Sequence, residues 1–417
     1  MNTPNDLNIC PLYWPRAIIL IDMNAFFASI EQLDFPDLRH KPVAVTNGIQ
    51  GTCIITCSYE ARAYGIKTGM RLRDAKQLCP KIIQRPSRPE RYTQISRKIM
   101  KNLIQITPDI EIFSVDEAFL DVTHCQMLYG NPVRIARMAQ RLVYDVSRLS
   151  CSIGISGDKT TAKYAAKLQK PNGFIVIPPW ESKERLSHVP VTELCGIAAG
   201  IGNFLAKYGV YTCGQIEKLP IGILTKRFGP LGQRIWYMCQ GADPDPVHTS
   251  VAAPKSMGHG KVMPPNTTTP NIVWTYLRHM CDKLATRLRR HHMKAQYFFV
   301  GLRSYEFGWL GDHMQLPIPS NDAGTIYYYA KKILLDAWEH EPVWHIQVTA
   351  LDPEARPTQL DLFTKTDLKS DKKNVVLDQI NARFGDYTLT AASLLNRSKM
   401  PNVIAPAWKP DGHRQSI

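Results

Sequence analysis

Two acidic clusters, each closing an apolar run, are where this chain could do chemistry. The first is Ile18-Ile19-Leu20-Ile21-Asp22-Met23-Asn24-Ala25-Phe26-Phe27. The second is Ile110-Glu111-Ile112-Phe113-Ser114-Val115-Asp116-Glu117-Ala118-Phe119-Leu120-Asp121. Short runs rich in Ile and Val read as buried strands. A carboxylate at the end of such a strand is costly to desolvate unless a positive charge meets it. Strands that bring Asp22, Asp116 and Glu117 together therefore call for a divalent cation. Hard oxygen ligands with room left for phosphate oxygens suit Mg²⁺, and a pair of such ions supports in-line phosphoryl transfer. An Asp-Glu pair by itself more often caps a turn or faces solvent, and adjacent residues on a strand point to opposite faces. Asp116 and Glu117 can share an ion only where a turn or a strand end reorients one of them.

The elements that must position these carboxylates can be read along the chain. Residues 17–33 form a strand running into a helix that starts near Ala25. Residues 42–46 and 53–56 read as short strands joined by a Gly-containing turn at 47–51. Short helices fit 59–64, stopped by Gly65, and 74–78, stopped by Cys79-Pro80. Longer helices fit 90–107 and 133–150, followed by a strand at 151–156 and a helix over 159–170. Shorter helices then follow at 181–188, 190–195, 200–208, 212–218 and 221–227. The Pro-rich stretch near 241–256 reads as a linker. Beyond it, 257–352 alternates a strand, a helix (270–292), strands (295–303 and 311–317), a helix (322–340) and a strand (343–351), the order of a small α+β module. After Asp352 regular burial is lost, with one further helix expected at 374–384.

Composition narrows the partners. The chain has 417 residues, 44% of them hydrophobic, and 51 Lys and Arg against 36 Asp and Glu give a net charge of +15. That is enough chain for roughly two to four domains with sizeable cores, and it excludes a disordered protein. The balance favours a polyanionic partner, nucleic acid above all. It is also uneven: between Lys255 and Arg303 there are nine Lys and Arg and a single acid, Asp282. Ten cysteines without a CxxC pair or a nearby His spacing read as reduced, mostly buried thiols of a cytosolic protein. No segment has the run of apolar residues needed to span a membrane, and the N-terminus does not have the pattern of a signal peptide.

Six motifs in order carry a resemblance. They are Asp22-Met23-Asn24-Ala25-Phe26-Phe27-Ala28-Ser29-Ile30-Glu31, Ser58-Tyr59-Glu60-Ala61-Arg62, Gly65-Ile66-Lys67-Thr68-Gly69-Met70, Ser114 through Asp121, Ser152-Ile153-Gly154-Ile155-Ser156 with Lys159 and Ala162-Lys163, and Lys170-Pro171-Asn172-Gly173. Over about residues 16–352 the chain resembles the Y-family DNA polymerases, most closely the bacterial DNA polymerase IV type. The resemblance implies a multidomain α+β and α/β right-hand polymerase: palm (1–33 and 88–177), fingers (34–87), a helical thumb (178–241), a linker (242–252), an α+β little finger (253–352) and a tail (353–417).

By the same resemblance, Asp22 and Asp116 are ligands shared by two Mg²⁺ ions, for which Mn²⁺ can substitute. Glu117 is the third carboxylate, and the backbone carbonyl of Met23 adds a ligand. Phe26, Phe27, Thr56, Tyr59, Arg62 and Lys170 match positions around the incoming nucleotide. A guanidinium there suits phosphate geometry, and Phe27 is the steric gate against a 2′-hydroxyl. Without the pattern, Arg62 would read as a helix-end ion pair, Phe27 as a core ring and 170–173 as an ordinary turn. Asn24 stands where many relatives carry an acid and is assigned no metal. Residues 194–210 resemble a helix-hairpin-helix whose turn is Gly196-Ile197-Ala198, with Gly200-Ile201-Gly202 a possible substitute. Lys255, Lys261, Arg287, Arg289, Arg290 and Arg303 would meet the DNA backbone, and Gln359-Leu360-Asp361-Leu362-Phe363 matches the peptide that binds the sliding clamp. The expected protein is a cytoplasmic, monomeric, low-fidelity translesion polymerase with primer–template DNA, deoxynucleoside triphosphates and the clamp as partners. Two rivals are a non-catalytic accessory protein, against which the retained carboxylates argue, and a nucleotide cyclase, which has no use for the basic stretch.

Overall fold

The apolar runs around the two acidic clusters become adjacent strands of one sheet. In the computed structural model, which describes residues 13–48, 51–355, 368–395, 397 and 408–411, the chain divides into two units. One comprises residues 1–251 with 400–416, the other residues 252–399. The strands of the first are β1 (Ile18–Met23), β2 (Val43–Thr46), β3 (Ile54–Cys57), β4 (Ile83–Pro86), β5 (Ile110–Ile112), β6 (Glu117–Asp121), β7 (Cys151–Ser156) and β8 (Phe174–Val176).

The main sheet runs β5-β6-β1-β7-β8, with β1 antiparallel to both neighbours. All six residues of β1 are buried, because both faces of the sheet are covered; this is why the strand reads as an unbroken Ile/Leu run. On one face Ile19 and Ile21 pack with Tyr92, Ile95 and Ile99 of helix Pro89–Leu103 and with Ile135, Ala139 and Val143 of helix Pro132–Ser147. On the other, Ile18, Leu20 and Phe119 meet Ala162 and Ala166 of helix Lys159–Leu168. That helix lies so close that a Cβ on Gly154 would come 2.0 Å from the Ala162 carbonyl oxygen, so glycine is required in β7.

A second sheet, β3-β2-β4, encloses a small core of Ala44, Ile54, Ala61, Ile66 and Leu72. Residues 182–238 form short helices around Leu186, Leu205, Leu224 and Ile235. One of them, Pro230–Met238, was not anticipated. Gly229-Pro230 reads as a stop, yet Gly229 ends one helix at φ 61° while Pro230 takes the first position of the next, where its missing N–H costs nothing.

The expected linker is partly fastened down. Asp243 is fully buried, held by Arg234 (2.8 Å) and the Thr160 hydroxyl (2.6 Å), and Asp245 pairs with Lys159 at 2.5 Å. The His248 N–H donates to Glu111 at 2.9 Å. Side-chain bonds thus anchor a stretch whose prolines cannot donate. All nine cysteines among the described residues are free, six of them buried.

The second unit has the expected α+β order. Strands β9 (Met257–Thr267), β10 (Met293–Ser304), β11 (Trp309–Ser320) and β12 (Val343–Ala350) form a sheet in the order β11-β10-β12-β9. Helices Pro270–Arg290 and Ala323–Ala337 pack onto its apolar face through Leu277, Leu284, Ile326 and Leu334. The further helix spans Leu368–Phe384, longer than the expected 374–384. It is tied to this unit by Asp378 on Arg289 (2.6 Å) and by Lys373 and Asn374 on Asp322 (3.1 Å each).

Candidate active site

Strand pairing assembles the two acidic clusters. Asp22 stands directly opposite Glu117 in the β1–β6 ladder, and the Met23 N–H donates to the Asp116 carbonyl at 2.9 Å. Strand β6 begins only at Glu117. Asp116 belongs to the turn before it, in which the N–H groups of Phe113 and Ser114 both reach the Glu117 carbonyl (3.0 and 3.1 Å). The turn supplies the reorientation that adjacent carboxylates need if both are to serve one ion.

Electrostatically the cluster is under tension. Burial, then the negative charge of Glu117, pushes the Asp22 carboxyl up to about 7 against the opposing pull of Lys170. Asp116 is also raised, by burial and by Glu117, although the Ser114 hydroxyl donates to it at 2.6 Å. Two lysines answer the charge. Lys163 lies 2.5 Å from Glu117 and Lys170 forms an ion pair with Asp22. Burial works to lower the Lys163 ammonium, but Glu117 outweighs it and the net shift is upward. Among the described residues no three acid, imidazole or thiol groups close into a metal cage; Lys163 and Lys170 each meet one oxygen of one carboxylate. An all-oxygen donor set, desolvated and mutually repelling, fits a hard divalent ion.

Around this centre the residues expected to hold a nucleotide divide into two kinds. Phe27 is half-buried and stacks on Tyr92 with ring centroids 4.4 Å apart and planes at 14°. Tyr59 and Arg62 begin and end the short helix after β3, with the guanidinium 4.7 Å from the Tyr59 ring and its Nε donating to the Cys57 carbonyl at 3.2 Å. Thr56 is buried in β3. The Phe26 ring is different: at 3% exposure it lies in the main core, which leaves only its backbone for a ligand. Asn24 is a structural hub, accepting from the Ser152 hydroxyl (2.8 Å) and donating to Ser150 (3.1 Å).

Sequence reasoning missed Lys163 as a partner of Glu117, although it stands within a motif that was recognised. It also missed Tyr92 and the buried Glu31 behind Phe27. Tyr92 donates to Glu31 at 2.9 Å, and Arg85 (3.2 Å) and Arg88 (2.8 Å) neutralise that carboxylate. Glu31 closes the first motif, and nothing in its local sequence tells that the charge is buried.

In the second unit, Arg289 is withdrawn from the expected DNA-contacting set: its guanidinium is 11% exposed and committed to Asp378 and the Asn321 carbonyl. Lys255, Arg290 and Arg303 are exposed, Arg303 lying 5.4 Å from the Trp309 ring. Lys261 and Arg287 are half-buried. In the hairpin, Gly196 turns at φ 96° and helix Ala199–Ala206 follows. Gly200-Ile201-Gly202 lies inside that helix and cannot act as the turn. Residues 359–363 fall outside the described residues.

Two sequence profiles match this chain. That of the impB/mucB/samB family covers residues 21–167, and that of its C-terminal domain covers 254–362. The chain belongs to this family. It is 33% identical over 387 residues to the DNA polymerase IV of Moorella thermoacetica, covering 90% of this chain and 95% of that protein. It is likewise 33% identical to the DNA polymerase IV of Desulfatibacillum aliphaticivorans, covering 91% and 96%. A Y-family DNA polymerase chimera of Dbh and Dpo4 superposes with a TM-score of 0.70 at 25% identity, covering 82% of this chain and all of the chimera. Asp22, Asp116, Glu117 and Lys163 all lie in the first segment that matches the impB/mucB/samB family, and the basic stretch lies in the second.

Proposed function

We infer that the chain is a DNA-directed DNA polymerase of the Y-family, DNA polymerase IV type, acting on primer–template DNA with deoxynucleoside triphosphates in translesion synthesis and repair. The observation that carries the reading is Asp22 paired against Glu117 with Asp116 at the adjoining turn, in a chain of this family.

In this proposal Asp22, Asp116, Glu117 and the Met23 carbonyl hold two divalent ions, Mg²⁺ in the cell. When bound, such ions lower the pKa of the primer hydroxyl and neutralise charge on the transferring phosphoryl group. The protein's own groups bind and orient. Arg62 and Lys170 supply donors with fixed positive charge to the triphosphate, beside Thr56 and Tyr59. Phe27 stands against the sugar and excludes a 2′-hydroxyl by clash. Lys163 holds Glu117 in place, and Lys170 exchanges Asp22 for phosphate when a nucleotide enters.

The sheets and helices support assigning β1 and β5–β8 to a palm, β2–β4 to fingers, residues 178–241 to a thumb and 253–352 to a little finger. Lys255, Arg290 and Arg303 contact the DNA backbone there, with Lys261 and Arg287 at the edge. Residues 359–363 tether the enzyme to the sliding clamp. The protein works as a cytoplasmic monomer; no helix among the described residues is long and apolar enough to cross a membrane.

Primer extension tests the core of this. Asp116→Ala should abolish extension while leaving DNA affinity, which rests on backbone contacts, within about twofold. Near-normal extension by Asp116→Ala would overturn the assignment.

A further inference from the structure

Residues 408–411 belong to the first unit, although helix Leu368–Phe384 belongs to the second. Trp408 is 3% exposed and packs in the cluster that contains Ile21, Phe26, Tyr92 and Ile95. Its ring centroid lies 5.9 Å from that of Phe27, tilted by 49°.

Phe27 therefore has three aromatic neighbours: Phe26, with centroids 5.8 Å apart, Tyr92 and Trp408. Tyr92 stacks flat on it at 4.4 Å, and Tyr92 is itself fixed by its hydroxyl bond to buried Glu31. Trp408 closes the cluster at an angle. The helix that carries Tyr92 also holds the tail, since Arg97 bonds the Asp411 carboxylate at 2.8 Å and the Pro410 carbonyl at 3.0 Å. The helix that carries Tyr92 thus also fastens the segment that carries Trp408.

A half-buried ring can pivot about χ1 and χ2 unless its neighbours hold it, and a gate that excludes a single hydroxyl works only if its ring is held to a fraction of an ångström. We propose that Trp408 is a positioning residue for sugar selection: it buttresses Phe27, so that discrimination against ribonucleotides depends on a side chain nearly four hundred residues beyond the gate in sequence. The proposal rests on the reading of Phe27 as the sugar gate.

The test measures single-nucleotide incorporation by the full-length protein and takes the ratio of kcat/KM for a deoxynucleotide to that for the matching ribonucleotide. Phe27→Ala should lower this ratio about 100-fold, a clash being removed outright. Trp408→Ala should lower it about tenfold, chiefly by raising ribonucleotide use, while deoxynucleotide incorporation changes less than threefold. Trp408→Phe, which restores a flat ring, should recover most of the ratio. The double variant Phe27→Ala/Trp408→Ala should match Phe27→Ala alone, because Trp408 acts through that ring.

A melting curve accompanies each variant. If Trp408→Ala fails to fold, Trp408→Leu fills the volume without a flat face and carries the same expectation. An unchanged ratio for Trp408→Ala or Trp408→Leu, with Phe27→Ala lowering it, overturns the buttress and leaves the gate standing. An unchanged ratio for Phe27→Ala removes the gate and the buttress with it. A further fall of the double variant below Phe27→Ala also overturns the proposal, since Trp408 would then act elsewhere.

Discussion

Divalent ions should stabilise this protein against heat at pH 8 and not at pH 5, and the size of the effect follows from the acidic centre. In the metal-free protein the Asp22 carboxyl is raised from its ordinary 3.8 to about 7 by burial and by Glu117. A group whose folded pKa lies above its unfolded value favours the native state at low pH. Its contribution is complete below pH 3.8 and is lost as the pH climbs through 7. At about 1.4 kcal/mol for each pKa unit, the loss reaches at most about 4 kcal/mol. Above pH 7 the Asp22 carboxyl is ionised and a cation relieves its repulsion by Glu117. A site of about 1 mM affinity in about 10 mM Mg²⁺ gains RT ln(1 + [L]/Kd), near 1.4 kcal/mol, or roughly 3–5 °C in Tm for a unit of this size. At pH 5 each ion must displace a proton held about two units more tightly. Apparent affinity then falls on the order of 100-fold and the gain drops below about 0.1 kcal/mol. Melting curves with Mg²⁺ and with chelator at the two pH values, for the parent and Asp116→Asn, check this. Equal shifts at pH 5 and pH 8, or a full shift in Asp116→Asn, would refute the assignment of the ion to these carboxylates.

Three further outcomes are expected. Glu31→Ala should cost about 3 kcal/mol in urea unfolding, the lower end for a buried charge pair because Arg85 and Arg88 are partly exposed; a loss under about 1 kcal/mol would show that Glu31 does not hold Tyr92 in place. Lys163→Met should slow single-turnover extension more than it weakens DNA binding, because it frees Glu117 within the site; equal effects on both would place Lys163 on the DNA instead. Replacing Leu362 and Phe363 by Ala should spare extension on naked primer–template and abolish stimulation by added sliding clamp, a tether acting through local concentration alone; equal stimulation of variant and parent would end the clamp assignment.

What the sequence could reveal divides along a physical line. The β1 and β6 runs were legible because strands covered on both faces must be continuously apolar, so a charge at their ends stands out. The order of elements across 257–352 was legible for a different reason: its strands and helices are covered on one face, so apolar residues recur at strand and helix spacing. The helix Pro230–Met238 was not, because a Gly-Pro step ends one helix and begins the next with the same residues. Nor could composition tell the anchored Asp243–His248 stretch from a free linker, since prolines mark both and only distant partners, Thr160, Lys159 and Glu111, distinguish them. Arg289 shows the limit of charge counting: a basic run favours a polyanion as a whole, yet Asp378, nearly ninety residues away, takes one member out of it. The same limit governs the site. Lys163, Glu31 and Trp408 reach their places through contacts far along the chain, and such contacts leave no local pattern. The carboxylates proposed for catalysis announce themselves because their chemistry is expensive to bury. The residues that hold them and the proposed gate in position are ordinary lysines, glutamates and aromatics, and only the fold says which of them matter.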